Sequence, residues 1–363
     1  MMWRSENELD LTLADGSASL AVASPPYPGR YGNRMGSMQV ATDAPDRQGV
    51  RYHGAKGREL APWIIDHLPA DHDVYDESHC GMANILLRKE RSPIEAINDR
   101  SGEVVNFFRV LREAADELIN AIDLTPFAWD EWKLSYQPTG DPVERARRFY
   151  VRAYLSIAGP TSSMTNPGFR RQKKLSRGRD GRKTMTAAAK TFAQVDHLWA
   201  IAERLKGVTI ENEDALKHIR RYDNPRTLFY VDPPYMPETR VRAAQSAYEH
   251  EMTAADHAEL LETLNRLKGM AVLSGYRCPL YDDALGHWTR YDKRVRVNGE
   301  GSAVESLWLN PAAEEALRRK VRPQFADGAT RRPRAGTARR GRRVTAADVP
   351  LFADIENEGE NQP

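Results

Sequence analysis

Apolar positions along the chain follow two rhythms whose alternation predicts an α/β architecture. The clearest is an unbroken run, Thr227-Leu228-Phe229-Tyr230-Val231, that stops at Asp232-Pro233-Pro234-Tyr235. A short continuous apolar run fits an interior parallel strand, and the prolines end it because neither has an N–H for the ladder. Shorter runs at 73–77, 94–99 and 270–274 predict further strands. Between them the spacing turns helical. Leu60, Trp63, Ile64, Ile65 and Leu68 are closed by Pro69; Val104, Val105, Phe107, Phe108 and Leu111 follow Ser101 as N-cap; Leu260, Leu261, Leu264 and Leu267 follow Thr253 and stop at Gly269. Residues 82–89 and 193–205 are also expected to be helical. Strand, helix, strand from 227 to 274 is a right-handed crossover, which makes the sheet parallel there.

From 113 to 204 the periodicity weakens. Trp129, Trp132, Tyr136, Phe149, Tyr150 and Tyr154 precede a loop at 169–183 holding eight basic residues, Arg170, Arg171, Lys173, Lys174, Arg177, Arg179, Arg182 and Lys183, against Asp180. Aromatic residues leading into a glycine-punctuated basic loop suit nucleic-acid binding, and a merely solvated face is the other reading. The whole chain is near neutral, 53 basic against 51 acidic residues in 363, so attraction to nucleic acid has to come from local charge. Cys80 and Cys278 are too few for a disulfide framework or a zinc site, which points to a reducing compartment. The start of the chain has no apolar leader core. Residues 318–343 hold eleven basic residues against Asp327 and little to bury, and are expected to be disordered.

Three segments carry candidate chemistry. A carboxylate and a proline carbonyl, both acceptors, can hold the two N–H groups of a planar conjugated amine and aim its lone pair at an electrophile, so Asp232 and Pro233 suit that task, with Pro234 closing the strand and Tyr235 stacking on the ring. Strand 73–77, the turn Ser78-His79-Cys80-Gly81 and helix 82–89 form a cofactor cradle, and Asp99 lies 22 residues after Glu77, a spacing at which an acid meets a nucleoside edge or ribose hydroxyl. Tyr52-His53-Gly54-Ala55-Lys56-Gly57 reads as a glycine loop that lets backbone approach a ligand and lets Lys56 reach over it.

Asp232-Pro233-Pro234-Tyr235 resembles the Asp-Pro-Pro-Tyr motif of S-adenosylmethionine-dependent amino-methyltransferases. With four motifs in the same order, residues 51–310 resemble the Dam-like N6-adenine DNA methyltransferases. Tyr52 and Lys56 match that family's aromatic-x-Gly-x-Lys segment. Residues 77–81 resemble its Glu-Pro-Phe-x-Gly motif, with Ser78 and His79 where proline and an aromatic are usual, and 97–107 resemble its second cofactor motif. Ser24-Pro25-Pro26-Tyr27 is a second motif of the same kind, resembling that of other amino-methyltransferases. Ser274-Gly275-Tyr276 and the segment 305–310 resemble later parts of the family and read as structural.

The resemblance implies a doubly wound, mostly parallel seven-stranded α/β sheet with an inserted target-recognition domain. The divisions would be 1–47 as an appended arm, 48–112 as the cofactor half, 113–204 as the insert, 205–315 as the catalytic half and 316–363 as a tail. It implies that Asp232, Pro233, Pro234 and Tyr235 act on an adenine flipped out of double-stranded DNA, that Tyr52, Lys56, Gly81, Asp99 and Asp232 line S-adenosylmethionine, and that no metal is needed. A cytoplasmic, nucleoid-associated location and a restriction endonuclease partner are compatible with it. Cytosine N4 or RNA as substrate, and a DNA-binding relative without catalysis, remain the alternatives.

Overall fold

Seven strands form one sheet in the computed structural model, which describes residues 50–52, 54–57, 59–157, 160, 168–171, 188–240, 249–296 and 302–321. The Ser24 to Tyr27 segment, the basic residues from Lys173 to Lys183 and the chain beyond Val321 lie outside the described residues. The strands are β1 (Val74–Glu77), β2 (Ile94–Asn98), β3 (Val208–Glu211), β4 (Thr227–Val231), β5 (Met270–Gly275), β6 (Thr289–Arg296) and β7 (Ser302–Leu309), in spatial order β3-β2-β1-β4-β5-β7-β6. The expected central run is the central strand, and all of β4 is buried. Its alternate residues serve two cores: Leu228 and Tyr230 enter one hydrophobic cluster, Phe229 and Val231 the other. A strand covered on both faces has no solvated side for polar residues, hence the continuous apolar run.

The sheet is mixed, not the mostly parallel one expected. β3, β2, β1, β4 and β5 pair in parallel, whereas β7 is antiparallel to both β5 and β6. Five residues join β6 to β7, fewer than the dozen or so that a parallel pair needs, so these two strands are antiparallel; β7 then lies between β5 and β6 and runs against both.

The helices are α1 (Leu60–Asp66), α2 (Gly102–Glu113), α3 (Ala115–Asp123), α4 (Trp129–Leu134), α5 (Pro142–Leu155), α6 (Ala188–Phe192), α7 (His197–Arg204), α8 (Ala215–Tyr222), α9 (Ala254–Asn265), α10 (Pro279–Ala284) and α11 (Pro311–Val321). Thr253 caps α9 through a reciprocal box with Asp256. Side chains of α2, α3, α5 and α7 share the cluster that receives Leu228 and Tyr230, so the described part of 113–204 is a helical layer on the sheet's own core and does not show a separate inserted domain. α5 escaped the periodicity because Arg145, Arg147, Arg148 and Arg152 interrupt its apolar positions, although Ala146, Phe149, Tyr150 and Ala153 are buried and Arg147 is itself buried in ion pairs with Glu131 and Glu144. Its start is set locally: Asp141 accepts from Val143 N–H, and Pro142 occupies the first turn.

Two local expectations change. Residues 82–89 form successive turns instead of a helix, with Ala83 at φ 47° and Leu86 N–H drawn to the Glu77 carboxyl at 2.5 Å. The chain after Pro311 begins with helix α11: Asn310 Oδ1 accepts from Ala313 N–H at 2.9 Å, and Ala313 and Leu317 are buried one turn apart. Among the described residues no helix is long and apolar enough to cross a membrane.

Gly269 enters β5 through a tight gap. Its N–H binds Asp223, and a Cβ there would lie 2.8 Å from the backbone oxygens of both Asn224 and Thr227. Gly269→Ala is expected to cost about 1–3 kcal/mol, the usual range for overpacking. Thermal unfolding checks this, and an unchanged Tm would mean the turn moves aside freely.

Candidate active site

β1 and β4 are neighbours, yet the chain leaves β1 toward β2 and β3 and leaves β4 toward β5. That reversal opens a crevice beyond the carboxyl ends of the two strands, where open α/β sheets bind ligands. A cleft of about 1050 Å³ lies there, lined among others by Glu77, Gly81, Asp99, Asp232, Tyr235 and Glu305.

Asp232 is the first residue past β4. Its Oδ1 accepts from Lys56 Nζ at 2.8 Å and from Ser274 Oγ at 2.7 Å, and Tyr230 OH lies 3.2 Å behind Ser274. Among the described residues both contacts fall on Oδ1, so Oδ2 keeps its acceptor capacity for a ligand. Lys56 arrives from the segment before α1 and also donates to Glu305 Oε1 at 3.1 Å and to the Tyr235 hydroxyl, which itself donates to Glu305. Burial works against the Lys56 charge, but Asp232 and then Glu305 outweigh it and hold the ammonium well above the usual lysine range. Burial, then the Glu305 carboxylate, pushes the Tyr235 phenol well up. The Tyr235 ring meets Tyr276 edge to face at 4.9 Å.

At the β1 end the groups differ in kind. Gly81 has φ 47°, donates its N–H to Asp99 Oδ2 at 2.9 Å, and lies so close to the Tyr52 ring that a Cβ would be 3.2 Å from Cε1. Asp99 Oδ1 accepts from Ser101 N–H at 2.8 Å, so one carboxylate both fixes the turn and starts α2. Asn98 ties the turn from the next strand, donating Nδ2 to Ser78 O at 3.0 Å and accepting Cys80 N–H at 2.9 Å. Asn98 thus supplies the rigidity that proline would give. Burial pushes the Glu77 carboxyl up to about 8, against the hydrogen bonds from Tyr75 OH and Leu86 N–H. The His79 imidazole, 3.0 Å from Ser78 Oγ, is brought down to about 4 by burial and by His257. A left-handed glycine whose missing Cβ makes way for the Tyr52 ring, an acid and a neutral imidazole line this end of the cleft, a set of groups compatible with an adenosyl ligand.

The structure therefore brings Lys56, Asp232 and Tyr235 together at one end of the cleft and Tyr52, Gly81 and Asp99 at the other, with Pro233 and Pro234 on its wall. Arg170 and Arg171 are elsewhere. They follow the bridge between Ser156 and Phe169, and the Arg171 guanidinium lies 4.7 Å from the centroid of the half-exposed Trp129 ring. Glu305 and Ser274 were read as structural, yet both touch the site. The available signal was polarity at the ends of apolar strands: Ser274 ends Met270-Ala271-Val272-Leu273, and Glu305 precedes Ser306-Leu307-Trp308-Leu309.

The family model described as D12 class N6 adenine-specific DNA methyltransferase matches residues 52–291, from Tyr52 past Asp232 but short of Glu305. No curated protein matches the chain. Among solved structures, a precorrin 8w decarboxylase from Methanobacterium thermoautotrophicum is 11% identical, over 73% of this chain and 98% of that one, with a TM-score of 0.32, a likeness too small to inform the fold.

The neutral His79 carries a pH signature. Between about 6.5 and about 4 the unfolded chain takes up a proton at His79 that the folded chain refuses, so folding loses stability as the pH falls through that window. His79→Gln should flatten the decline of Tm over that range. Parallel Tm profiles for the two proteins would show that the imidazole is not held neutral.

Proposed function

The chain belongs to the D12 class N6 adenine-specific DNA methyltransferase family and methylates the N6 amine of adenine in DNA, and from that premise we propose how its residues divide the work. What carries the assignment is the geometry at Asp232: its described hydrogen bonds, from Lys56 and Ser274, both fall on Oδ1. Oδ2 and the Pro233 carbonyl then accept the two N–H groups of the amine, drawing the nitrogen lone pair out of conjugation with the ring. Pro234 turns the chain so that Tyr235, its phenol tied to Glu305, presents its ring to the extruded base. S-adenosylmethionine, when bound, supplies the methyl group on a sulfonium already activated for transfer. Tyr52, Lys56, Gly81 and Asp99 would hold it, with Asp232 at the transfer end. The amine gives up one proton, and Asp232 is the acceptor in place.

The substrate is duplex DNA, and residues 113–204 act as the target-recognition region. The basic residues Arg170, Arg171, Lys173, Lys174, Arg177, Arg179, Arg182 and Lys183 meet its phosphates. Residues 1–47 are an appended arm, 205–315 complete the catalytic half begun at 48–112, and 316–363 form a basic extension. The enzyme works in the cytoplasm on the nucleoid, where a restriction endonuclease with the same recognition sequence is a compatible partner.

Asp232→Asn should lower kcat by about 10²–10⁴, the range for removing a positioned base, with DNA affinity near normal. Near-wild-type turnover in that variant, measured on the same preparation as DNA binding, would overturn the assignment. Replacing Arg170, Arg171, Lys173 and Lys174 by alanine should make the salt dependence of DNA binding shallower, by about 0.9 in the log–log slope for each phosphate that is no longer neutralised. An unchanged slope would leave the loop as solvated surface.

A further inference from the structure

We propose that Glu305 is a positioning residue that keeps the methyl-transfer site at a net charge of minus one, and so tunes it to a cationic sulfonium over a neutral thioether. The inference rests on the reading of Asp232 given above and extends it to a residue outside the matched family segment. Lys56 Nζ lies 2.8 Å from Asp232 Oδ1 and 3.1 Å from Glu305 Oε1, with the lysine and Glu305 side chains 6% and 4% exposed and Asp232 20%. One ammonium therefore faces two carboxylates. Without Glu305, Lys56 would neutralise Asp232 alone and the pair would carry no charge. With it, the lysine is shared, and Asp232 keeps the negative charge that stabilises the positive charge reaching the amine. In the reaction the amine lone pair forms the bond to the methyl carbon, the carbon–sulfur pair remains on sulfur, and one proton leaves the nitrogen. Positive charge enters the cleft on the cofactor, passes to the amine and departs with that proton. A site of net charge minus one matches the first two stages and loses its hold on the uncharged product cofactor.

Glu305 also fixes the Tyr235 ring through the phenol hydrogen bond, so a purely structural role has to be separated from the charge. Gln at 305 keeps an oxygen to accept from Tyr235 and Lys56 and removes only the charge. Affinities of wild type, Glu305→Gln, Glu305→Asp and Lys56→Gln for S-adenosylmethionine and for S-adenosylhomocysteine are measured by calorimetry, with single-turnover methylation alongside. The ratio of the two affinities should shrink by about tenfold in Glu305→Gln, the scale of one unit charge acting across roughly 12 Å at an effective dielectric of about 20. It should stay near wild type in Glu305→Asp and widen in Lys56→Gln. The methylation rate of Glu305→Gln should fall at least about tenfold with KM for DNA little changed, since the charge acts on the transition state. A wild-type ratio and rate in a folded Glu305→Gln would overturn the proposal. If that variant does not fold, an unchanged ratio in Lys56→Gln overturns it equally. Asp232→Asn in the same series separates the two readings: an active Asp232→Asn removes the assignment of the strand, whereas an inert one beside an unaffected Glu305→Gln removes only the role of Glu305.

Discussion

One ammonium held between two carboxylates, Lys56 and Glu305 buried and Asp232 on the wall of the cleft, is the constraint from which the arrangement of the site follows. Removing such ions from water costs several kcal/mol each, and their attraction offsets this only when their geometry is fixed. Three distant parts of the chain must therefore be held in register: the loop before α1 with Lys56, the end of β4 with Asp232, and β7 with Glu305. The antiparallel placement of β7 makes this possible. An antiparallel strand starts at the edge where its parallel neighbour ends, and Ser306 pairs with Gly275, the last residue of β5. Glu305, one residue earlier, thus stands at the carboxyl-end rim beside the cleft. A seventh strand running with its neighbours would have put its first residues at the opposite edge.

The two ends of the cleft are matched to different demands. Around β1, burial pushes the Glu77 carboxyl up to about 8 and the His79 imidazole down to about 4, and the Asp99 carboxylate is engaged by the backbone N–H groups of Gly81 and Ser101. Around β4 the groups are charged and paired. The first environment suits an uncharged nucleoside edge, the second a reacting cation, and about two residues of strand separate them, since Glu77 pairs with Tyr230 and Asp232 lies just beyond.

Much of this was legible in the sequence wherever a local pattern had a single physical reading. The β4 run, its proline stop and the strand-turn-acid sequence from Glu77 to Asp99 each depend on neighbours within a few residues, and they singled out Asp232, Gly81 and Asp99, which line one cleft. α5 was hidden because its arginines interrupt the apolar count, and the partners that let Arg147 be buried, Glu131 and Glu144, cannot be paired from spacing alone. The helix expected at 82–89 failed on Ala83, whose left-handed backbone no apolar count reveals, and α11 was masked by the charges of Glu314, Glu315, Arg318 and Arg319, between and after its buried Ala313 and Leu317. Glu305 was read as structural because its partners, Lys56 and Tyr235, are 249 and 70 positions away and nothing in its own strand announces them.

That separation has a consequence for the order in which the protein comes off the ribosome. Asp232 and the cofactor turn precede β7 in the chain, so both are synthesised before the second carboxylate. Until Leu309 is available to close β7 against β5, Lys56 has Asp232 alone to neutralise and Tyr235 has no anchor for its phenol. A chain ending before β7 would carry the whole Asp-Pro-Pro-Tyr strand and still lack the second carboxylate on Lys56 and the anchor of the Tyr235 phenol.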